Sequence, residues 1–254
     1  MGARRERSAA SELWWWVVVV GLVGTLCYVV YARLTMDWNW AAVWDYRAVL
    51  MKGWWATVAV SGAALVLSTV LGVLLVCGLR SGRGALVALS RGYVELVRGT
   101  PLLVQLLVGY YVVANALALD NKFWVGVLLL AAFAGAYICE ILRGGIESVG
   151  REQFESARAV GFGRWQTYRY VVVPQAVKRV TPAMAGQFAN LVKDSSLLSV
   201  LGVEEFTQMS RQVNAAAYTS LEVYLPLAVG YLVLTLPIGW AARVLEKRME
   251  REAV

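Results

Sequence analysis

Histidine is absent from all 254 residues, so no imidazole is available as a general base, proton shuttle or metal ligand. The 3 cysteines, Cys27, Cys77 and Cys139, stand far apart within apolar stretches, which argues against a disulfide framework or a thiolate metal cluster. Each reads as a small packing residue. No Gly-Lys-Ser/Thr tripeptide occurs, so the chain has no phosphate-binding P-loop. If ATP drives its activity, another subunit must hydrolyse it. No cofactor is expected.

Charge is scarce as well. Asp, Glu, Lys and Arg make up 16% of the chain against 59% hydrophobic residues, and the mean hydropathy is +0.58. Soluble domains carry about 25% charged residues, so the composition indicates an integral membrane protein. Unpaired backbone groups are too costly in lipid for an open sheet. An all-α helical bundle is expected.

A helix needs about 20 apolar residues to cross the hydrocarbon layer. Five stretches qualify: Leu13–Tyr31, Trp54–Leu79, Leu102–Leu119, Phe123–Leu142 and Tyr224–Ala242. The first is longer than a signal-peptide core and lacks a small-residue cleavage pattern after Tyr31, so it is expected to be a retained anchor. A sixth segment, about Thr181 to Leu201, is undecided by hydropathy because it holds Pro182, Gln187, Asn190, Lys193 and Asp194.

Lysine and arginine near span ends favour the cytoplasm. Arg4, Arg5 and Arg7 open the chain, while Arg243, Lys247, Arg248 and Arg251 close it. Both termini are therefore expected inside, which requires an even number of crossings and makes the sixth segment a span. Arg80, Arg83, Arg91 and Arg98 then fall inside too. The loop from Ala32 to Gly53 faces outward despite Arg33, Arg47 and Lys52, an objection that Asp37 and Asp45 only dilute. The net charge of +7 thus reports topology and contact with anionic lipid, not nucleic acid. The tryptophans at 14 to 16, 38, 40, 44, 54 and 55 fit an interfacial belt.

One stretch, Arg143 to Ala176, is out of keeping with its oily flanks: RGGIESVGREQFESARAVGFGRWQTYRYVVVPQA. Its core, Glu147 to Val160, predicts a short helix. Arg151, Glu155 and Arg158 fall at i, i+4 and i+7, with Phe154, Ala157 and Gly161 on a neighbouring face. Gly144, Gly145 and Gly150 are expected to turn the chain into it, and Gly161 and Gly163 out of it. Such a two-faced helix either lies in the lipid interface or docks into a groove on a soluble partner.

The residues Tyr137, Glu140, Arg143, Gly144, Gly145, Ile146, Ser148, Val149, Gln153, Glu155, Ala157, Gly161, Pro174, Gln175 and Ala176 resemble, in order, the EAA loop of bacterial ABC-importer membrane subunits, specifically the polar amino acid uptake permeases. Glu152, Ser156 and Val160 depart from that pattern. The segments YVELVRGTPLLVQL and LVKDSSLLSVLGVEEF are also similar to that family, so the likeness runs from about Gly53 to Leu245. It implies a five-span permease core over 53–245, preceded by an extra anchor helix and outer loop (1–52) and followed by a cytoplasmic tail (246–254).

It further implies a coupling helix that docks on an ATP-binding subunit. Arg143, Gly144, Gly145, Gln153, Phe154, Glu155, Ala157 and Gly161 are the coupling residues that follow. The partners implied are two ATPase subunits, a second permease subunit, an extracytoplasmic substrate-binding protein and an amino acid. The chain itself is then no enzyme, and it resides in the bacterial inner membrane.

Polar residues inside a bundle are expensive and so mark function. Gln187, Asn190 and Asp194 share one face of the fifth core segment, with Lys193 beside it. These are the candidates for the substrate path. The competing reading pairs them with other spans or lets them snorkel to the interface. Gln105 and Asn115 allow the same two readings. A permease for another small solute, or an ion-coupled secondary transporter, is the alternative, though the latter usually carries internal repeats and the chain shows no convincing duplicated half.

Overall fold

A computed structural model describes residues 9–33 and 38–251, with side chains described only for part of that range. Among the described residues every regular element is helical. The chain divides into two compact units, residues Met1–Asn39 and Trp40–Val254. The first contains α1 (Ala9–Arg33), whose apolar stretch Trp14–Val29 carries exposed Trp14, Trp15 and Trp16. Arg4, Arg5, Arg7 and Asp37, used above for sidedness, lie outside the described residues.

The second unit begins with a short α2 (Trp40–Asp45) and the long α3 (Arg47–Leu79). There follow α4 (Gly84–Arg98), α5 (Leu102–Val108) with a π-helical turn over Gly109–Ala114, and α6 (Lys122–Glu147). The connection to the next long helix holds α7 (Arg151–Ala159), α8 (Arg164–Thr167) and a π-helical turn Tyr168–Val172. It leads into α9 (Val173–Asp194), a 3-10 segment Ser195–Leu201, α10 (Phe206–Ala217) and α11 (Ser220–Arg251).

Among the described residues three helices are long and apolar enough to cross a membrane, over Arg47–Leu79, Lys122–Glu147 and Leu221–Leu245. A fourth span arises if α4 and α5 with its π turn count together, bent by 108°. Pro101 explains the bend. It lacks an N–H and disfavours helical geometry at the preceding Thr100. The freed acceptors are recovered by Gln105, whose Nε2 donates to Val97 O (2.7 Å), Thr100 O (3.0 Å) and Thr100 Oγ1 (2.8 Å). Gln105 therefore acts as the cap of a broken span, the packing alternative and not the cavity one.

The helix α9 fails a purely apolar test, as its composition foretold, yet 22 residues give it about 33 Å of length at 1.5 Å per residue. It packs on α6 and α11. Counted with α1 of the first unit, the number of long helices is roughly the six expected.

The α3–α6 pair forms the central contact. Here small residues let the helices close up, as they do where lipid offers no hydrophobic drive. A Cβ at Gly72 would lie 2.5 Å from Ile138 Cγ2, and one at Gly135 would lie 2.8 Å from Leu71 Cδ2. Val60, Leu106, Val127, Leu130, Leu191 and Leu198 fill the core beside them.

At the end of the unit that carries Lys52, that residue's charge is paired. Lys52 Nζ pairs with Glu204 at 2.8 Å, and the Arg47 guanidinium sits 4.8 Å over the Trp44 ring while donating to the Trp44 carbonyl. Two of the three basic residues that conflicted with an outward placement, Arg47 and Lys52, are thus locally engaged. The stretch 40–53 is also helical, not loop.

Candidate functional site

The polar connection between α6 and α9 departs from its expected geometry in one respect. Gly144 and Gly145 do not turn the chain; they lie inside α6, which runs on to Glu147. The reason is packing. A Cβ at Gly145 would sit 2.0 Å from Val180 Cγ1 of α9, whereas Gly144 faces open space. The turn begins at Ser148, whose Oγ donates to Gly145 O, and the Arg179 guanidinium donates to the Ser148 carbonyl.

The predicted helix Glu147 to Val160 correspondingly shortens to Arg151–Ala159, with Gly150 at its N-cap. Its exit is made at Gly161, where φ is +83°, a conformation that glycine adopts without strain. Phe162 N then donates to Ala157 O at 3.0 Å.

The two faces of α7 have different tasks. Ala157 is buried, and Phe154 meets the Tyr168 ring edge-on at 6.2 Å within a cluster that includes Val149, Val172 and Ala176. Ala157 and the half-buried Phe154 thus hold α7 to its own chain. Gln153 Oε1 accepts from Gln175 Nε2 at 3.3 Å and adds a polar tether.

Arg151, Glu152, Glu155 and Arg158 are exposed, and among the described residues none of them makes an ion pair. Val160 is 71% exposed beside them. This is a charged face with an apolar edge, anchored from behind and unpartnered in front.

Arg143 lies apart from that face. Its Nε and Nη2 donate to the Glu140 carboxylate at 2.9 Å, and Nη1 donates to Glu147 at 2.7 Å. Arg98 of α4 joins Glu140 at 2.9 Å. The four residues line a cavity of about 390 Å³ at the same end of the unit as α7. The sequence reading quoted Glu140 but missed its pairing with Arg98, which no spacing rule reveals.

Gln187, Asn190, Lys193 and Asp194 all lie on α9 as expected. Asn190 and Lys193 are exposed, while Gln187 and Asp194 are half-buried. Among the described residues none of the four side chains makes a hydrogen bond or ion pair, so pairing with other spans of this chain does not account for them. A polar helix face without partners in its own bundle needs water, a solute or another chain.

One buried acid escaped sequence reasoning. Glu205, 0% exposed, caps α10 by accepting from Thr207 N (2.9 Å) and Gln208 N (2.7 Å), and it accepts from Tyr231 Oη of α11 at 2.9 Å. Thr57 of α3 approaches at 3.4 Å. Burial pushes the carboxyl above its ordinary range, and the converging donors oppose that push. The available signal was Glu at an N-cap position before Phe-Thr-Gln, which is weak because Ser, Thr, Asp and Asn are the usual caps.

A multi-span helical bundle with a polar connection at one end and a partnerless polar helix face defines the class: a membrane permease subunit. The chain belongs to the family described as binding-protein-dependent transport system inner membrane component, whose match covers residues 64–251. It is a multi-pass inner-membrane transport protein.

The chain is 34% identical to the glutamine transport system permease protein GlnP of Escherichia coli (strain K12) over 220 residues, covering 85% of this chain and 99% of that one. It is 36% identical over 214 residues to the "Probable glutamine ABC transporter permease protein GlnM" of Bacillus subtilis (strain 168), covering 84% and 99%. A solved structure described as an amino acid ABC transporter with histidines aligns with a TM-score of 0.78 at 30% identity, over 84% of this chain and 100% of that one. The MetNI methionine ABC transporter, at 18% identity and a TM-score of 0.68 over 80% and 97%, shares the fold.

Proposed function

We propose that this chain is the membrane-spanning subunit of an ATP-driven importer for a polar amino acid, with glutamine the first candidate. The relatives' names support the amino acid class. The observation that carries the mechanism is the two-faced α7, fixed from behind by Phe154 and Ala157 and presenting Arg151, Glu152, Glu155 and Arg158. A separate ATPase subunit docks there, and Glu155 is its main contact. Gln153 and Gly161 hold that helix in place, and Arg143, Gly144 and Gly145 at the end of α6 complete the coupling segment.

The end bearing α7 faces the cytoplasm, as do both termini. The arginine content of that end supports this placement. A second permease copy, or a paralogue, covers the polar face of α9, and Gln187, Asn190, Lys193 and Asp194 line the path between them. A binding protein delivers the amino acid from outside. Its two charges suit the Asp194 carboxylate and the Lys193 ammonium, which project about 100° apart around α9.

The test is ATP-dependent uptake of labelled amino acids into proteoliposomes containing this chain, its ATPase and a binding protein. Wild type accumulates glutamine, and Glu155→Arg loses both uptake and ATPase retention. Uptake that persists without ATPase, or an indifferent Glu155→Arg, refutes the reading.

A further inference from the structure

Between α3, α6 and α9 lies an apolar cavity of about 600 Å³, walled by Val73, Val76, Leu142, Val173, Val177 and Val180. Its polar end is formed by Arg80, Arg164, Trp165 and Tyr168. A second cavity of about 830 Å³ shares Arg80, Arg164 and Tyr168 and adds Arg158, with no Asp or Glu in its lining. An apolar slot therefore runs into an arginine-lined chamber through a common set of side chains.

The neighbouring cavity provides a contrast. There Arg80, Arg91, Arg98 and Arg143 are matched by Glu95, Glu140 and Glu147, and most of the charge is already spent in ion pairs. In the chamber it is not. Arg80 is bound only through Nε and Nη2 to the Tyr168 hydroxyl, a neutral acceptor, at 2.9 and 2.8 Å. Arg158 and Arg164 make no hydrogen bond or ion pair among the described residues. Trp165, 73% exposed, marks the level of the membrane interface.

We infer that this continuous site binds one anionic phospholipid, its acyl chain in the slot between α3 and α9 and its phosphate on Arg80 and Arg164, the two arginines common to slot and chamber. Guanidinium groups bind phosphate oxygens by charge-assisted hydrogen bonds, and basic pockets between spans take anionic headgroups. A soluble phosphate fits only the chamber and leaves the slot unused; a zwitterionic lipid fits the slot and offers a phosphate, but it also brings a cationic headgroup that the surrounding arginines repel. The lipid also abuts Tyr168, against which Phe154 of α7 rests, so it stiffens the platform from which α7 projects. The inference rests on the placement of the α7 end at the membrane surface.

The test uses the full chain with its ATPase subunits in nanodiscs of phosphatidylcholine doped with phosphatidylglycerol, and counts retained lipid by mass spectrometry of the intact complex. Wild type keeps phosphatidylglycerol in preference to phosphatidylcholine. Arg164→Gln, which removes one phosphate contact, and Val177→Trp, which fills the slot, each lower that retention about five- to tenfold. Millimolar inorganic phosphate does not displace the lipid.

Equal retention of the two lipids overturns the inference, as does a Val177→Trp variant that binds like wild type or displacement by phosphate. Failure of the wild-type ATPase to co-purify refutes the docking role of α7 instead. The lipid count is then read from the permease alone.

Discussion

Adjacent glycines in α6 make a paired test of how that helix meets α9. At Gly145 an added Cβ falls 2.0 Å from Val180 Cγ1, far inside ordinary contact at 3.4–4 Å, so Val180 must move by more than an ångström. Valine in a helix has one strongly preferred rotamer, and Val180 is itself buried, so it cannot simply swing away. Overpacking of this kind costs about 1–3 kcal/mol, offset by up to about 1 kcal/mol because alanine is the better helix former. Gly145→Ala is therefore expected to destabilise by about 0–2 kcal/mol net, and Gly145→Leu by considerably more.

Gly144, with nothing near its added Cβ, gives the opposite sign. Gly144→Ala should stabilise by up to about 1 kcal/mol. Thermal unfolding of the purified chain in detergent measures both. The double variant Gly145→Leu with Val180→Ala should recover part of the loss, because it vacates the space that the new side chain needs. If Gly145→Leu unfolds at the wild-type temperature, or both alanine variants behave alike, the α6–α9 contact described here is wrong.

Gln105→Leu should lower the same unfolding temperature by an amount corresponding to about 1–3 kcal/mol, since it strips Val97 and Thr100 of their shared donor at the α4–α5 break. Gln105→Glu should do no better, because a carboxylate cannot donate to those carbonyls. Glu205→Gln should cost about 1–3 kcal/mol, because the amide keeps one acceptor oxygen but turns its NH2 toward a backbone N–H of Thr207 or Gln208. A Glu205→Gln variant as stable as wild type would mean that the carboxyl is protonated in the fold and that its cap is not an anion.

Hydropathy made the apolar helices legible because it acts through averages over about 20 residues. Single-residue roles were less legible. Arg-Gly-Gly at 143–145 carries the composition of a turn, and only the approach of Val180, 35 positions after Gly145, reveals Gly145 as a helical packing residue. Phe154 and Ala157 were placed on the correct face by periodicity, but periodicity cannot say whether a face meets its own chain or another. Glu205 was invisible for a related reason. Its partners Thr57 and Tyr231 lie 148 and 26 residues away, and each looks unremarkable within its own helix.

The helix α9 joins the two ends of the proposed cycle. Its first half carries Ala176 and Val180, which pack on the platform of α7 and on Gly145; its last turns carry Gln187, Asn190, Lys193 and Asp194. One helix thus runs from the α7 platform to the polar face. Pro182 lies between these parts, inside the helix, where it removes one backbone hydrogen bond. If α7 docks as proposed, a displacement imposed on it would pass through Phe154, Tyr168 and Ala176 into α9 and become a bend at Pro182. The polar face would then reorient while the α3–α6 core, closely packed at Gly72–Ile138 and Leu71–Gly135, stays in place.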